Sequence, residues 1–279
     1  MMVMNTPDAI KATVLLALAE DVGSGDVTVA LIGAETPGHA YVLCREAAVL
    51  CGTAWFEEAF RQVDPATRIE WLAQDGDPIA PDTILCRIRG NARAMLTAER
   101  TALNFLQLLS GTATLTRAYV AQLAGTRCRI LDTRKTVPGL RNAQKYAVTC
   151  GGGTNHRIGL YDRVLIKENH IMAAGSITAA VQQARALYPA LLVEVETESL
   201  EEVHEAGAAG ADIIMLDDFG RAAMAQAVHW SAGRIPLEAS GGVSLETVRA
   251  IALTGVDFIS VGGITKHVQA VDLSMRFEV

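Results

Sequence analysis

The chain has 279 residues, 50% of them hydrophobic, enough for one large domain or two unequal ones around a sizeable core. A formal net charge of −7 argues against a broad nucleic-acid surface. The five cysteines (Cys44, Cys51, Cys86, Cys128 and Cys150) are odd in number and form no C-x-x-C pair, so they read as reduced, mostly buried thiols of a cytoplasmic protein, not a disulfide frame or a zinc site.

Thr6-Pro7-Asp8 opens a predicted helix to about Glu20, with Thr6 as cap and Pro7 in the first turn. Its apolar run, residues 14–19, is too short for a signal peptide, and no stretch is long enough to cross a bilayer, so the expected address is the cytoplasm. Gly23-Ser24-Gly25-Asp26 breaks the helix. Residues 41–50, 67–72 and 83–88 read as strands, separated by turns at Asp75-Gly76-Asp77-Pro78 and Pro81-Asp82. Residues 1–115 are therefore expected to form a small α+β domain, and residues 116–279 a larger α/β domain that carries the catalytic site. A helix is expected from Thr97 to Ser110, interrupted at Ser110-Gly111-Thr112 and resuming to Gly125 as a bridge.

From Arg129 onward, short apolar runs recur: Ile130-Leu131, Val164-Leu165-Ile166, Leu191-Leu192-Val193, Ile213-Ile214-Met215-Leu216, Ile235-Pro236-Leu237 and Phe258-Ile259-Ser260-Val261. A helix-like stretch follows each, with Ser176 and Ser199 at N-cap positions and Glu202 completing a capping-box pattern. Six βα repeats without hairpin signals predict a parallel barrel or a doubly wound sheet.

Each run stops at charged or small polar residues. These ends are Asp132-Thr133-Arg134-Lys135, Lys167-Glu168-Asn169-His170, Glu194-Val195-Glu196, Asp217-Asp218, Glu238-Ala239-Ser240-Gly241-Gly242 and Gly262-Gly263. In a barrel, they would converge on one mouth, where active sites form. Any one of them is equally well a solvated strand end; six in register are not explained by stability. Between Ala98 and His170, eleven basic residues face four acidic ones, whereas the remainder carries thirteen against twenty-seven. A basic island in an acidic chain points to a small, multiply anionic ligand. Arg117, Arg127 and Arg163 are expected merely to pair with surface acids. Ser240-Gly241-Gly242 and Gly262-Gly263 suit a phosphate, because glycines allow close backbone approach. Glu196 and Asp217 could hold Mg²⁺, bind ribose hydroxyls or act as acid and base. No nucleophile-elbow pattern is present, and His156 and His170 lack metal-ligand spacing.

The run Ala98-Glu99-Arg100-Thr101-Ala102-Leu103-Asn104 resembles the quinolinate phosphoribosyltransferases, as do Asp132-Thr133-Arg134-Lys135-Thr136, Pro138-Gly139-Leu140-Arg141 and Lys145-Tyr146-Ala147-Val148. The most specific likeness lies in Gly151-Gly152-Gly153-Thr154-Asn155-His156-Arg157 and Leu165-Ile166-Lys167-Glu168-Asn169-His170. The resemblance extends from Glu20-Asp21 to the C-terminus. It implies an incomplete parallel α/β barrel of the type II phosphoribosyltransferase kind, with an N-terminal α+β sandwich domain against which the C-terminal tail packs. It implies phosphoribosyl transfer from 5-phosphoribosyl 1-diphosphate to quinolinate with decarboxylation, Mg²⁺ as cofactor, and a homodimer or higher homo-oligomer with shared sites. Arg134, His156, Arg157 and Lys167 would hold the quinolinate carboxylates, and Arg100 would enter from the other subunit. Lys135 would face the diphosphate, Glu196 and Asp217 the ribose and metal, and Ser240, Gly241, Gly242, Gly262 and Gly263 the 5-phosphate. Lys135, Lys167, Glu196 and Asp217 would carry the chemistry. Two positions depart from the commonest family pattern: Asp218 stands where Asn often follows the barrel Asp, and Gly263-Ile264 replaces Ala-Leu. A paralogous group linked to molybdenum transport shares the architecture, but its expected mark is loss of the two most specific segments, which are intact here.

Overall fold

The computed structural model describes residues 6–278; residues 1–5, with the Met1-Met2 start, and Val279 lie outside the described residues. The chain divides into two compact units: Met1–Arg117 with Thr136–Gly152 and Ile264–Val279, and Ala118–Lys135 with Gly153–Gly263. The units are therefore not contiguous in sequence.

The first unit begins with α1 (Pro7–Val22). Thr6 Oγ1 accepts the Ala9 N–H at 3.2 Å, and Gly23, at φ 54°, ends the helix. Asp26 then turns the chain by accepting the N–H groups of Thr28 and Val29. The strand expected over residues 41–50 is two strands, β1 (Pro37–Cys44) and β2 (Ala48–Val49). Next comes α2 (Thr53–Val63), which the sequence reading passed over; Trp55, Phe56, Ala59 and Phe60 form its buried face. Then follow β3 (Arg68–Trp71), β4 (Pro78–Ile79) and β5 (Thr83–Asn91). The C-terminal β12 (Leu273–Phe277) joins the antiparallel sheet, whose order is β12-β1-β5-β3. Phe56 packs edge-on to Trp71 and against Phe60, and each such burial contributes about 1.5–3 kcal/mol.

The bridging helix differs from expectation at both points tested. α3 runs unbroken over Ala92–Gln122. It starts earlier because Asn91 Oδ1 accepts the N–H groups of Arg93 and Ala94, a cap not read from the sequence. The Ser110-Gly111-Thr112 segment does not break it. The Ser110 hydroxyl bonds to the Cys51 backbone, and a Cβ on Gly111 would sit 2.1 Å from the Gln269 carbonyl. These small residues serve packing. After them, α4 (Arg141–Cys150) also belongs to the first unit.

The second unit holds six parallel strands: β6 (Arg129–Leu131), β7 (Val164–Ile166), β8 (Val193–Thr197), β9 (Ile213–Asp217), β10 (Leu237–Ser240) and β11 (Phe258–Ser260). Their order is β6-β11-β10-β9-β8-β7, so consecutive β6 and β7 form opposite edges of an incomplete α/β barrel. Each of the six runs read from the sequence marks a strand, although β8 and β10 start at Val193 and Leu237, the last residues of their predicted runs. The helices between them are α5 (Glu168–Ala174), α6 (Ile177–Leu187), α7 (Leu200–Ala209), α8 (Arg221–Ser231) and α9 (Val248–Ala252). A short α10 (Gly263–Lys266) follows β11. Ser176 and Ser199 cap α6 and α7, accepting the N–H groups of Ala179 and Glu202. Glu202 reaches back to the Glu198 N–H, one residue before the cap. No helix among the described residues is long and apolar enough to cross a membrane.

Candidate active site at the strand ends

The C-terminal ends of the parallel strands enclose a cavity of about 400 Å³, within the range for small-molecule sites. Arg134 and Lys135 reach it from the loop after β6, Lys167 from the end of β7, and Glu196, Asp217 and Ser240 from β8, β9 and β10. His156 and Arg157 come from the loop that precedes β7. Eight of the residues anticipated for the site thus surround one space. Thr133, Leu165, Met215 and Ser260 complete most of the wall.

The glycine loops sit beside it. Gly241 and Gly242 follow Ser240 with φ of +95° and +55°, a conformation glycine adopts without Cβ strain. A Cβ on Gly241 would lie 1.9 Å from Asp218 Oδ1. Asp218 is itself left-handed at φ 54°, where Asp and Asn are the tolerated non-glycine residues. Gly262 backs onto Lys135, whose Cδ would meet a Cβ there at 2.8 Å. Gly263 opens α10. Arg100 is exposed on α3 in the first unit and does not line the cavity.

Around His156 and Glu238, which themselves line the cavity, a buried polar cluster takes in Asp132 and Glu194, to which the sequence gives no individual role. Asp132, fully buried, accepts from Asn155 Nδ2 at 2.5 Å and from the His156 N–H at 2.9 Å, which fixes the loop carrying His156 and Arg157. His156 Nε2 stands 2.8 Å from Glu194 and 3.4 Å from Glu238, both with zero exposure. Burial opposes a charged imidazole, but hydrogen bonds to Glu194 and Glu238 overcome it and push the pKa up to about 9. Nδ1 accepts the Arg157 N–H at 2.7 Å, so the neutral ring keeps its proton on Nε2, and a second proton displaces that contact. Glu238 is pushed above the usual carboxylate range by burial. For Glu194 burial pulls the same way, but His156 and Arg163 outweigh it and hold the group below that range. Glu194 and Glu238 each stand between apolar neighbours within a strand, and Asp132 lies one residue beyond β6.

Two of the three arginines expected to pair with surface acids depart from that expectation, and the third meets it. Arg163 is largely buried and bonds Glu194 at 3.1 Å. Arg117 donates to the carbonyls of Gly151 and Cys150 at the end of α4, not to acids. Arg127 does lie 3.8 Å from Asp257 at the surface. Lys167 forms a close ion pair with Glu196 across β7 and β8. The Asp217 side chain has no hydrogen-bond or ion-pair partner among the described residues, and it lines the cavity. The arrangement is a cationic rim with two accessible carboxylates, suited to a multiply anionic substrate.

Residues 26–110 match the family described as quinolinate phosphoribosyl transferase, N-terminal domain, and residues 112–276 its C-terminal domain. The probable nicotinate-nucleotide pyrophosphorylase [carboxylating] of Synechocystis is 46% identical over 263 residues, covering 93% of this chain and 89% of that protein. Its counterpart in Bacillus subtilis is 41% identical over 257 residues, covering 92% and 89%. The structure of the nicotinate-nucleotide pyrophosphorylase from Francisella tularensis superposes with a TM-score of 0.95, at 46% identity and 98% coverage of both chains.

Proposed function

The chain belongs to the quinolinate phosphoribosyltransferase family, and we propose that its strand-end cavity is where the family's reaction takes place. The protein transfers the phosphoribosyl group of 5-phosphoribosyl 1-diphosphate to quinolinate, releasing diphosphate and carbon dioxide and yielding nicotinate mononucleotide for NAD biosynthesis. The observation that carries the site reading is the gathering of Arg134, Lys135, His156, Arg157 and Lys167 around the same cavity as Glu196 and Asp217.

In this reading, Arg134, His156, Arg157 and Lys167 clamp the two carboxylates and aim the pyridine nitrogen at the anomeric carbon. Lys135 faces the diphosphate as its bond to that carbon breaks and the ring becomes oxocarbenium-like. Gly262 supports this role, because a side chain there would crowd the lysine stem. Ser240, Gly241, Gly242, Gly262 and Gly263 take the 5-phosphate through close backbone approach. The pyridinium formed then accepts the electron pair left when the 2-carboxylate departs as carbon dioxide, and C2 takes up a proton. The 3-carboxylate therefore has the tighter clamp.

Glu196 and Asp217 also fit Mg²⁺: they are hard oxygen donors on adjacent strands, and Asp217 has no protein donor among the described residues. Bound there, directly or through water, the ion would neutralise charge on the departing diphosphate. The proposed assembly is a homodimer or higher homo-oligomer in which Arg100 of the partner subunit completes the site, a reading supported by its exposure on α3. The five cysteines, none in a disulfide, support a cytoplasmic address.

Turnover of quinolinate, phosphoribosyl diphosphate and Mg²⁺ to nicotinate mononucleotide, with nicotinate as control, tests the clamp. Loss of one carboxylate leaves buried charge unmatched and costs about 3–5 kcal/mol in kcat/KM; equal use of nicotinate would refute the clamp. Mixing Arg100→Ala with Lys135→Ala subunits, each inactive alone, tests the shared site. Recovered activity supports it, and no recovery in a demonstrated heterodimer removes it.

A further inference from the structure

Two cysteines outside the phosphoribosyl-transfer site stand close together. Cys51 lies between β2 and α2 with no exposure, its N–H donating to Ser110 Oγ at 3.0 Å and its carbonyl accepting from it at 3.2 Å. Cys150 ends α4 and is partly exposed. The two Sγ atoms and a carboxylate oxygen of Asp75 all lie within 4.8 Å of one another. The trio resembles a metal site, but Asp75 is already committed. Its Oδ1 accepts the N–H groups of Gly52 and Thr53 at 3.0 and 3.2 Å, and its Oδ2 accepts the Tyr146 hydroxyl at 2.9 Å. A cation would have to displace these bonds. What remains is a buried thiol on a fixed backbone facing a reachable one.

We propose that Cys51 and Cys150 are a disulfide-forming modification site, in which Cys150 meets a hydroperoxide and Cys51 resolves the product. The Cys150 thiolate attacks one peroxide oxygen; the O–O bond breaks, hydroxide leaves and takes a proton, and Cys150 becomes a sulfenic acid. The Cys51 sulfur attacks that sulfur, the S–O bond breaks, and the second hydroxide leaves as water with the Cys51 proton. Two thiols and hydrogen peroxide thus give one disulfide and two waters. The division of labour agrees with the surroundings. A hydrogen bond from the Cys51 thiol lowers the Cys150 pKa although burial opposes it, whereas burial pushes Cys51 well up. A disulfide needs an S–S distance of about 2.05 Å, so the sulfurs must draw together.

That movement falls on the end of α4, because Ser110 fixes Cys51 on both sides. The α4 end has little slack. Arg117 holds the Cys150 and Gly151 carbonyls, and a Cβ on Gly151 would lie 2.5 Å from the Ala113 carbonyl. Gly151-Gly152-Gly153 then leads directly into Thr154, Asn155, His156 and Arg157. Misplacement by about 1 Å can cost on the order of 100-fold in rate, so oxidation is expected to lower kcat/KM for quinolinate by about tenfold.

The test treats the whole protein with hydrogen peroxide, maps its peptides without reduction, and measures kcat/KM for quinolinate before and after dithiothreitol. The expected result is a Cys51–Cys150 linked peptide with lowered kcat/KM, both reversed by the reductant. Cys150→Ser should form no such link and keep its rate under peroxide. Cys51→Ser should accumulate a sulfenic acid on Cys150 that dimedone traps. Absence of the linked peptide in the wild-type protein overturns the site. A link that leaves kcat/KM unchanged overturns its coupling to the quinolinate clamp.

Discussion

The antiparallel sheet and the parallel sheet handle charge in opposite ways. In the first, charged side chains stay on the wet face: β3 alternates exposed Arg68 and Glu70 with half-buried Ile69 and Trp71, and Arg87 on β5 pairs with Glu278 at the surface. In the second, the strands are buried on both faces, yet Glu194 and Glu238 sit inside them and Asp132 at a strand end, all with zero exposure. Removing a carboxylate from water costs several kcal/mol unless partners compensate, so stability alone would place apolar residues there. The parallel sheet bears that cost where it holds His156 and Arg157 at the cavity and Arg163 against Glu194. Charge position in the antiparallel sheet follows solvation; in the parallel sheet, it follows the cavity at the strand ends.

The largest expected effect tests that difference directly. Glu194→Ala leaves His156 and Arg163 without their shared carboxylate, and urea unfolding should show a loss of about 3–5 kcal/mol. Glu58→Ala in α2 removes an acid bonded to Arg61 and Gln62, and should cost about 1 kcal/mol. Equal losses would erase the contrast. Lys135→Ala comes next. It should cut turnover by about 10²–10³-fold while the unfolding midpoint stays put, the magnitude typical of removing one transition-state donor. Arg87→Ala, its counterpart in the antiparallel sheet, should leave turnover unchanged and shift stability by less than about 1 kcal/mol.

What the sequence made legible follows the same division. The six parallel strands were readable because each is a short apolar run that ends abruptly in charge, and Lys135, Lys167, Glu196 and Asp217 announced themselves at those ends. Glu194 stands with Glu196 in one polar strand end, and the spacing does not show which lies deeper; the closing barrel buries Glu194 and leaves Glu196 at the mouth. The continuity of α3 was hidden for a related reason. Gly111 is a helix breaker by propensity, and only the Gln269 carbonyl, far along the chain, explains why a glycine is wanted there. Local patterns carried the elements; contacts between distant segments decided the exceptions. The α2 helix was legible in principle from Trp55, Phe56, Ala59 and Phe60, whose spacing is helical.

A pair of glycines sharpens the comparison further. Gly241→Ala forces a residue at φ +95° against Asp218 Oδ1, strain of about 1–3 kcal/mol placed in the loop proposed for the 5-phosphate. The KM for phosphoribosyl diphosphate should rise by about tenfold, which is that strain read as affinity. Gly38→Ala in β1 meets Met95 Sδ at 2.7 Å, the movable part of a flexible side chain, and Ala92 Cα at 3.1 Å. It should lower the melting temperature without touching KM. A Gly38 variant with altered KM would show that packing in the antiparallel sheet feeds the site.

The smallest expected effect settles how the basic island works. Arg127 belongs to it, but its side chain is 69% exposed and its one ion-pair partner among the described residues is Asp257 at 3.8 Å. If the island acts as a diffuse field that draws in anionic substrates, then any of its charges should matter, and Arg127→Ala should lower kcat/KM at low salt. If it acts through particular cations at the strand ends, Arg127 is a bystander. The geometry supports the second, because Arg134, Lys135, Arg157 and Lys167 line the cavity and Arg127 does not. At 0.1 M salt, fields from exposed charges fade over about 10 Å. Arg127→Ala should therefore leave kcat/KM unchanged at that ionic strength and stability within about 0.5 kcal/mol. The discriminating measurement is the salt dependence of kcat/KM in wild type and variant. Parallel lines mean that contact geometry selects the substrate; a shallower slope for the variant means that distant charge contributes, and the strand ends would then share their role with the surface around them.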